Sequence, residues 1–242
     1  MESFPAPTLA DAPALRDAHP RRSRIVAAEA GGLVVFAGAW VYMAGRLLAG
    51  IDDARSAVLA FGAAAVALVA ADLFSGLGHW LCDRYLHEDT PVLGPLLIRP
   101  FREHHREPRA LVAHRFVELN GDSALVLLPV MGGAALAPEP GSGPEALFAH
   151  AVALVFSLAI VLTNSVHRWA HAQRVPAVVA WLQRRGLVLT PEGHALHHAG
   201  PHTRAYCITT GWCNERLDRI GFFPLLERAL ALVGIRSTAV NP

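Results

Sequence analysis

The run S-A-V-L-A-F-G-A-A-A-V-A-L-V-A-A-D-L-F-S-G-L-G-H-W-L, from Ser56 to Leu81, decides the fold of this chain. Asp72 is its only residue with a formal charge. An α-helix rises 1.5 Å per residue, so a run of this length crosses a hydrocarbon core about 30 Å thick. In lipid, a helix satisfies its backbone hydrogen bonds within its own segment. The run therefore predicts a membrane-spanning helix.

Three further apolar runs and the composition extend this prediction to the whole chain. The runs are Ile25 to Leu48, Ser123 to Ala137, which is shorter and contains Pro129, and Leu147 to His167. Hydrophobic residues make up 53% of the 242 residues and charged residues only 17%, against about 25% in soluble domains. The expected fold is all-α and polytopic, with about four transmembrane helices. A soluble, disordered or disulfide-stapled secreted protein is excluded.

Two regions lie outside these spans. Residues 1–24 are polar and contain several prolines, which predicts a flexible N-terminal tail, and residues 25–242 are expected to form a single membrane-embedded domain. After the last span, Val175 to Leu187 and Glu215 to Ile235 have the pattern of helices lying on a membrane, the second broken at Pro224. The net charge of +1 gives no electrostatic footprint for nucleic acid.

Arginine and histidine are distributed unevenly across the predicted topology. With four spans, one side of the membrane receives 19 of the 21 arginines, which makes it the cytoplasmic side by the positive-inside rule. The same side receives 12 of the 13 histidines, at or beyond the ends of the spans. The sequence therefore predicts a histidine-rich cap on the cytoplasmic face of an integral membrane protein, in the inner membrane if the source is bacterial.

The histidines occur at spacings suited to metal ligation. His167 and His171 are four residues apart, so both rings project from one helical face. The motif H-x-x-H-H places His194, His197 and His198 on one helical arc, with His202 just beyond it. The adjacent pair His104 and His105 cannot share one helical face, so these two rings are expected to address two metal ions, or one ion and a neighbouring group.

The second span contributes a histidine and two carboxylates. His79 and Asp83 are four residues apart near its end. Asp72 lies two turns earlier in apolar sequence, where an unpaired carboxylate is costly. At about 10 Å of helical rise, Asp72 is too far to bond the His79 ring, so we expect it to orient another group.

These ligand-capable residues exceed the needs of one metal ion, because a catalytic zinc site uses three protein ligands and a structural one four. Two ions are the economical interpretation. Imidazole suits zinc, iron, copper or nickel, so spacing alone does not name the metal. A site of oxygen-activating iron fits better than the site of a hydrolase, because a hydrolase normally needs an obvious general base. Glu103 and Glu192 are the only glutamates on the cytoplasmic side that are close enough in sequence to act as one.

Five ordered motifs resemble the plasmanylethanolamine desaturases, the Kua-type lipid desaturase family. They are G-H-W-L-C-D from Gly78, I-R-P-F-R-E-H-H from Ile98, E-L-N-G-D from Glu118, L-T-N-S-V-H-R-W-A-H from Leu162, and H-x-x-H-H-x-x-P-H followed by Y-C-I-T-T-G-W-C-N from His194. The resemblance covers about residues 72–221. It implies an oxygen-dependent enzyme that inserts a cis double bond next to the ether oxygen of an alkyl phospholipid, giving a plasmalogen vinyl ether.

The resemblance also implies the residues of the site. Metal-binding or otherwise essential roles fall on His79, Asp83, His104, His105, His167, His171, His194, His197, His198 and His202. Supporting roles beside these ligands are expected for Asp72, Glu103, His114, Asn120 and Asn164, and no catalytic residue beyond the ligands is expected. The implied cofactors are two iron ions, with molecular oxygen as oxidant.

The expected partners are the ether phospholipid, surrounding membrane lipid and an electron carrier of cytochrome b5 or ferredoxin type. A separate carrier is needed because the sequence has no flavin or nucleotide motif such as G-x-G-x-x-G. Three alternatives stay open at this point: a desaturase or hydroxylase of another lipid chain with the same metals, a zinc-dependent membrane hydrolase, and a haem-carrying electron-transfer protein.

Overall fold

The regular structure of this chain is helical throughout the residues that the computed structural model describes, which are 23–91, 93–94 and 98–238. The predicted all-α class is therefore confirmed. The α-helices of these ranges are α1 (Ser23–Ala49), α2 (Ala54–Arg84), α3 (Arg99–Arg106), α4 (Pro108–Ala113), α5 (Phe116–Leu136), α6 (Pro144–His171), α7 (Ala177–Arg184), α8 (Pro191–His198), α9 (Asn214–Arg219) and α10 (Phe222–Leu232). A single 3-10 turn, Pro140–Ser142, precedes α6.

Four of these helices, α1, α2, α5 and α6, are long and apolar enough to cross a membrane, as predicted. The third begins at Phe116, seven residues before the predicted start at Ser123. A capping box explains the early start, because the Arg115 backbone N–H donates to the Glu118 carboxylate at 2.8 Å. Polar residues that the hydropathy pattern left outside the span therefore belong to its first turns.

Large apolar side chains on these helices face outward. Phe61 on α2 is 79% exposed and Val126 on α5 is 73% exposed. A helix that exposes large apolar side chains on all sides is unfavourable in water, so it belongs in a bilayer, where lipid covers these side chains. The outward Phe and Val side chains therefore indicate a lipid-facing surface, and the chain is an integral membrane protein.

The described chain divides into two compact units. The first contains α1, α2 as far as Ala71, α5, and α6 as far as Ser165. Its core includes Phe36, Met43, Ala63 and Met131. In this unit, Gly121 lets α5 approach α1 closely, since a Cβ at Gly121 would lie 2.3 Å from the Glu29 Cβ.

The second unit contains α2 from Asp72, α3, α4, the end of α6 from Val166, and the chain that follows. Trp80, Tyr206 and Phe223 form one of its apolar clusters, with Tyr206 and Phe223 ring centroids 4.6 Å apart. The Glu227 carboxylate fastens α10 to α2, because it accepts bonds from Arg84 Nε at 2.9 Å and from Trp80 Nε1 at 3.2 Å.

The two segments predicted to lie on the membrane are helical, with different bounds, and their position on a membrane stays a prediction. Val175 to Leu187 corresponds to the shorter α7, and Glu215 to Ile235 corresponds to α9 and α10. The predicted break at Pro224 is wrong, because the helices separate at Gly221, whose φ of 65° is left-handed. Pro224 lies in the first turn of α10, where a missing N–H costs no intrahelical hydrogen bond.

Residues 1–22 of the predicted tail lie outside the described residues, and α1 begins at Ser23. A single domain from residue 25 stays a prediction.

Candidate metal centre

The second unit brings histidines from four helices together near the ends of α2 and α6. Three groups of side chains each place one ligand atom per residue within 4.8 Å of all the others in the group. Together the groups contain all ten residues for which the sequence predicts metal binding: His79, Asp83, His104, His105, His167, His171, His194, His197, His198 and His202. The predicted histidine-rich cluster is confirmed, and ligation by each residue stays a prediction.

The five-histidine group consists of His104, His167, His171, His194 and His198. Its centre is His194, whose Nε2 lies 2.8 Å from His167 Nε2, 2.9 Å from His171 Nε2 and 3.0 Å from His198 Nε2. A neutral imidazole carries one N–H, so hydrogen bonds cannot satisfy four nitrogens that all point at each other. A cation among them would satisfy them all.

The Asp83 group consists of His79, Asp83, His105 and His197. Asp83 Oδ2 lies 3.2 Å from His79 Nε2, 3.3 Å from His105 Nε2 and 3.4 Å from His197 Nε2. Both Asp83 oxygens are buried, and within the described residues neither accepts a hydrogen bond of good geometry. A buried carboxylate without donors is costly, so this arrangement fits a bound cation.

A third group joins the other two. It consists of His105, His198 and His202, so it shares one residue with each of the larger groups. His202 Nδ1 donates to the His197 carbonyl at 3.0 Å, and Tyr206 donates through its hydroxyl to the His202 carbonyl at 2.6 Å. These bonds fix His202 at the junction between the two larger groups.

The adjacent pair His104 and His105 divides between the five-histidine group and the Asp83 group. This is the division expected for successive residues of a helix, whose side chains point about 100° apart. The sequence pattern allowed either two ions or one ion with a neighbour. The position of the two rings favours two ions.

Burial lowers the pKa of several histidines of this cluster that lie outside the membrane-spanning helices, which favours their neutral form. Loss of hydration holds the pKa of His104 and His194 well below the usual value, and neighbouring histidines lower it further. The same causes lower the pKa of His198 to about 2. Burial lowers the pKa of His197 to about 4, even though Asp83 opposes the shift. Neutral imidazole is the form that binds metal.

The donor sets fit metal ions on chemical grounds. Buried His104 Nε2 finds no hydrogen-bond partner among the described residues. Five imidazoles, and three imidazoles with one carboxylate, are ligand sets suited to iron and other transition metals. The residues present therefore fit two metal ions, one in each of the two larger groups, and Asp83 is the carboxylate ligand of the second group.

Asp72 contacts a loop through its carboxylate, and its expected orienting role away from His79 stays a prediction. Its carboxylate accepts backbone bonds from Thr210 at 2.7 Å, Gly211 at 2.8 Å and Cys213 at 2.9 Å. Sequence reasoning did not identify these partners, because backbone N–H groups have no sequence signature. It also assigned no role to Tyr206, whose carbonyl accepts a bond from His79 Nδ1 at 3.1 Å.

The other four predicted supporting residues lie outside the three groups. Asn120 donates to Ser165 Oγ at 2.8 Å, and Asn164 donates to the Leu119 carbonyl at 2.8 Å, so both join α5 to α6 within the first unit. Glu103 and His114 belong to none of the three groups. A supporting role for each of the four stays a prediction.

An integral membrane protein with a histidine-rich candidate metal centre is the class that fold and site define. Residues 68–239 match the lipid desaturase domain, and the chain belongs to this family. The match confirms the resemblance inferred from the five motifs.

Three named relatives show which desaturases the chain resembles. A plasmanylethanolamine desaturase of Myxococcus xanthus is 41% identical over 172 residues, which cover 71% of this chain and 60% of the relative. Plasmanylethanolamine desaturase 1 of Mus musculus is 42% identical over 171 residues, covering 69% and 62%. Fatty acid desaturase 4, chloroplastic, of Arabidopsis thaliana is 32% identical over 162 residues, covering 66% and 48%. The chain thus spans about three fifths of the length of the first two relatives. No solved structure gives a significant match.

Proposed function

We propose that this chain is an oxygen-dependent lipid desaturase that converts plasmanylethanolamine into plasmenylethanolamine by introducing a cis double bond next to the ether oxygen. The observation that carries the proposal is the pair of adjoining ligand groups, one of five histidines and one of three histidines with Asp83. Family membership and the names of the two relatives at 41% and 42% identity support the lipid substrate and the reaction.

Iron is the proposed metal. Histidine combined with a carboxylate and open positions is typical of non-haem iron sites that use oxygen, which favours iron over zinc in the Asp83 group. Two bound iron ions would supply the oxidising power for removing two hydrogen atoms from adjacent carbons, with molecular oxygen as the oxidant.

The protein's own side chains orient the ligands and exclude water. His79, His104, His167, His194 and His197 are each at most 1% exposed. Their burial keeps solvent from the reacting centre, which protects a strong oxidant from side reactions. Rings that are fixed by backbone carbonyls at one nitrogen present the other nitrogen to the metal.

The overall reaction needs a reductant. Conversion of an alkyl ether to a vinyl ether releases two electrons and two protons, whereas reduction of one oxygen molecule to two waters takes four of each. A one-electron carrier of cytochrome b5 or ferredoxin type would supply the missing two electrons, with protons from solvent. The exposed arginines of the second unit, among them Arg184, Arg185 and Arg204, would attract an acidic carrier.

The proposed location follows from the positive-inside rule. The arginine-rich end of the helices, which carries the histidine cluster, would face the cytoplasm, in the inner membrane if the source is bacterial. An accessibility map with single cysteines and an impermeant reagent in intact cells would contradict this orientation if residues near His202 reacted from the outside.

The function is tested by expression in a plasmalogen-free host fed an alkyl-ether lipid. Vinyl ethers release aldehydes in mild acid, so aldehyde release measures the product. We expect release with the wild type and none with His197→Ala. His87→Ala is the matched control, because His87 is exposed, lies beside exposed Asp89 and belongs to none of the three ligand groups. Equal release from wild type and His197→Ala would remove His197 from the essential residues.

The name of the Arabidopsis relative favours a second candidate, a desaturase acting on an acyl rather than an alkyl chain. Lipid profiling of the same cells separates the two. New acyl double bonds without acid-labile aldehyde would show that the substrate is a fatty acyl chain and not the ether lipid. The proposed metal centre would stay the same.

A further inference from the structure

The loop of residues 204–213 runs along one face of α2, from the metal cluster toward the middle of the helix. The Tyr206 carbonyl accepts from His79 Nδ1 at 3.1 Å, the Ile208 N–H donates to Ser75 Oγ at 3.1 Å, and the Thr210 N–H donates to Asp72. Positions 72, 75 and 79 share one helical face, being three and four residues apart. The loop and α2 therefore run antiparallel in a fixed register.

Asp72 fixes the far end of this loop. It is fully buried, and its two oxygens accept three backbone N–H groups, those of Thr210, Gly211 and Cys213. Irregular backbone within a membrane protein must find partners inside the protein, since lipid offers none. One carboxylate supplies three such partners here.

Further contacts leave the loop little freedom. A Cβ at Gly76 would lie 2.5 Å from Cys207 Sγ, so glycine lets the loop approach the α2 backbone. Asn214 holds both polar groups of the Cys207 backbone, accepting from its N–H at 2.8 Å and donating to its carbonyl at 2.9 Å. The loop is therefore fixed by side chains along its length.

The near end of the loop holds two metal-group histidines by their Nδ1 atoms. His79 Nδ1 donates to the Tyr206 carbonyl, and His197 Nδ1 donates to the Arg204 carbonyl at 2.7 Å. A carbonyl accepts only from a protonated nitrogen, so both neutral rings carry their proton on Nδ1. Their Nε2 lone pairs are then free for a metal.

Both of these histidines belong to the Asp83 group. Among the described hydrogen bonds, none joins the loop to a ring of the five-histidine group. The direct bonds from the loop to histidine rings therefore fall on the Asp83 group. Around the other group the loop makes only indirect contacts, since Ile208 packs in one apolar cluster with Val166 and Ala170, and the Thr209 carbonyl accepts from the Leu189 N–H at 3.1 Å. This difference predicts a larger effect of the loop on one metal ion than on the other.

We propose that Asp72 is a positioning residue for one metal ion. Through the loop 204–213 it sets the tautomer and orientation of His79 and His197, and so it affects the metal affinity of the Asp83 group more than that of the five-histidine group. The inference rests on the metal centre of the proposed function.

The test is a titration of metal-free, full-length protein in detergent with ferrous iron under anaerobic conditions, repeated with Co²⁺ to follow the ligand-field absorption. Wild type is expected to bind two ions. In Asp72→Asn, the site of the Asp83 group should weaken by about 10-fold, the lower end of the usual effect of losing an outer hydrogen-bond partner because Asp72 acts through the loop, while the other site changes less. Asp53→Asn is the matched control, because Asp53 is an exposed carboxylate that bonds only near the start of α2.

A second variant keeps the test decisive if Asp72→Asn does not fold. Ser75→Ala removes the acceptor of the Ile208 N–H, together with the bond from Ser75 Oγ to the Asp72 backbone carbonyl within α2, and should weaken the same site by a smaller factor. Unchanged affinities in both folded variants would overturn the proposal, and so would equal weakening of the two sites. Wild type that binds no metal would instead refute the proposed function, and this inference with it.

Discussion

Asp83 lies one helical turn after His79, and its Oδ2 is 3.2 Å from His79 Nε2. Asp83 is the only carboxylate in the three ligand groups, so it is the one ligand of these groups that can bring a negative charge. The two ligand groups therefore differ in charge as well as in number of imidazoles.

Asp83→Asn keeps the size of the side chain and removes its charge. We expect at least a tenfold loss of aldehyde release, together with weaker metal binding in the Asp83 group, because a neutral amide is a poorer ligand for a hard cation. Metal content and product formation measure the two effects. Asp89→Asn changes an exposed carboxylate next to His87 and should leave both unchanged. Full activity of Asp83→Asn would remove Asp83 from the ligands.

Removal and return of metal test the identity of the ions. Chelator-treated protein should lose all desaturation, and ferrous iron should restore it. Zinc should bind the imidazoles without restoring it, because Zn²⁺ has no redox chemistry. The measurement is product formation by reconstituted enzyme with an electron donor. Restoration of desaturation by zinc would contradict the proposal that redox-active metal ions in this centre carry out the reaction.

Gly121→Ala should destabilise the first unit. The added Cβ would lie 2.3 Å from the Glu29 Cβ, and overpacking of this kind costs about 1–3 kcal/mol. Gly132→Ala in the same helix meets no atom within 4 Å, so it should be neutral or stabilising by up to about 1 kcal/mol. Thermal unfolding in detergent compares the two. Equal melting temperatures of the two variants would show that α1 and α5 can move apart to accept the added methyl group without a loss of stability.

Glu227→Ala should loosen α10 from α2. It removes a partly buried carboxylate that Arg84 and Trp80 both contact, and hydrogen bonds to charged groups contribute about 1.5–3 kcal/mol. Glu215→Ala breaks an exposed ion pair with Arg219 and should cost about 0.5 kcal/mol or less. The free energy of unfolding in a graded denaturant, followed by Trp fluorescence, measures the difference. A larger loss from Glu215→Ala would contradict the packing of α10.

Much of the fold was predictable because lipid restricts the possible structures. Four apolar runs could only be helices, and spacing alone placed His167 with His171 and separated His104 from His105. The start of α5 was missed because hydropathy does not register the cap formed by Arg115 and Glu118. The break at Gly221 was misplaced because proline is a helix breaker only beyond the first turn.

The site was less accessible to sequence reasoning where the backbone takes part. The carbonyls of Arg204 and Tyr206 hold two imidazoles, yet any residue type supplies a carbonyl. The depth of Asp72 in apolar sequence marked it as unusual, but its three N–H partners lie about 140 residues further along the chain. Contacts of this kind depend on how the chain returns to α2, which local patterns do not encode.

The attachment of the loop to α2 also bears on how the enzyme responds to its bilayer. Membranes of different thickness change the tilt of a spanning helix. His79 and the Tyr206 carbonyl that holds it would tilt as one body, since Ser75 and Asp72 bind the same loop to the same helix. Ring orientation at this ligand would then be preserved when growth temperature or lipid composition alters the thickness of the membrane.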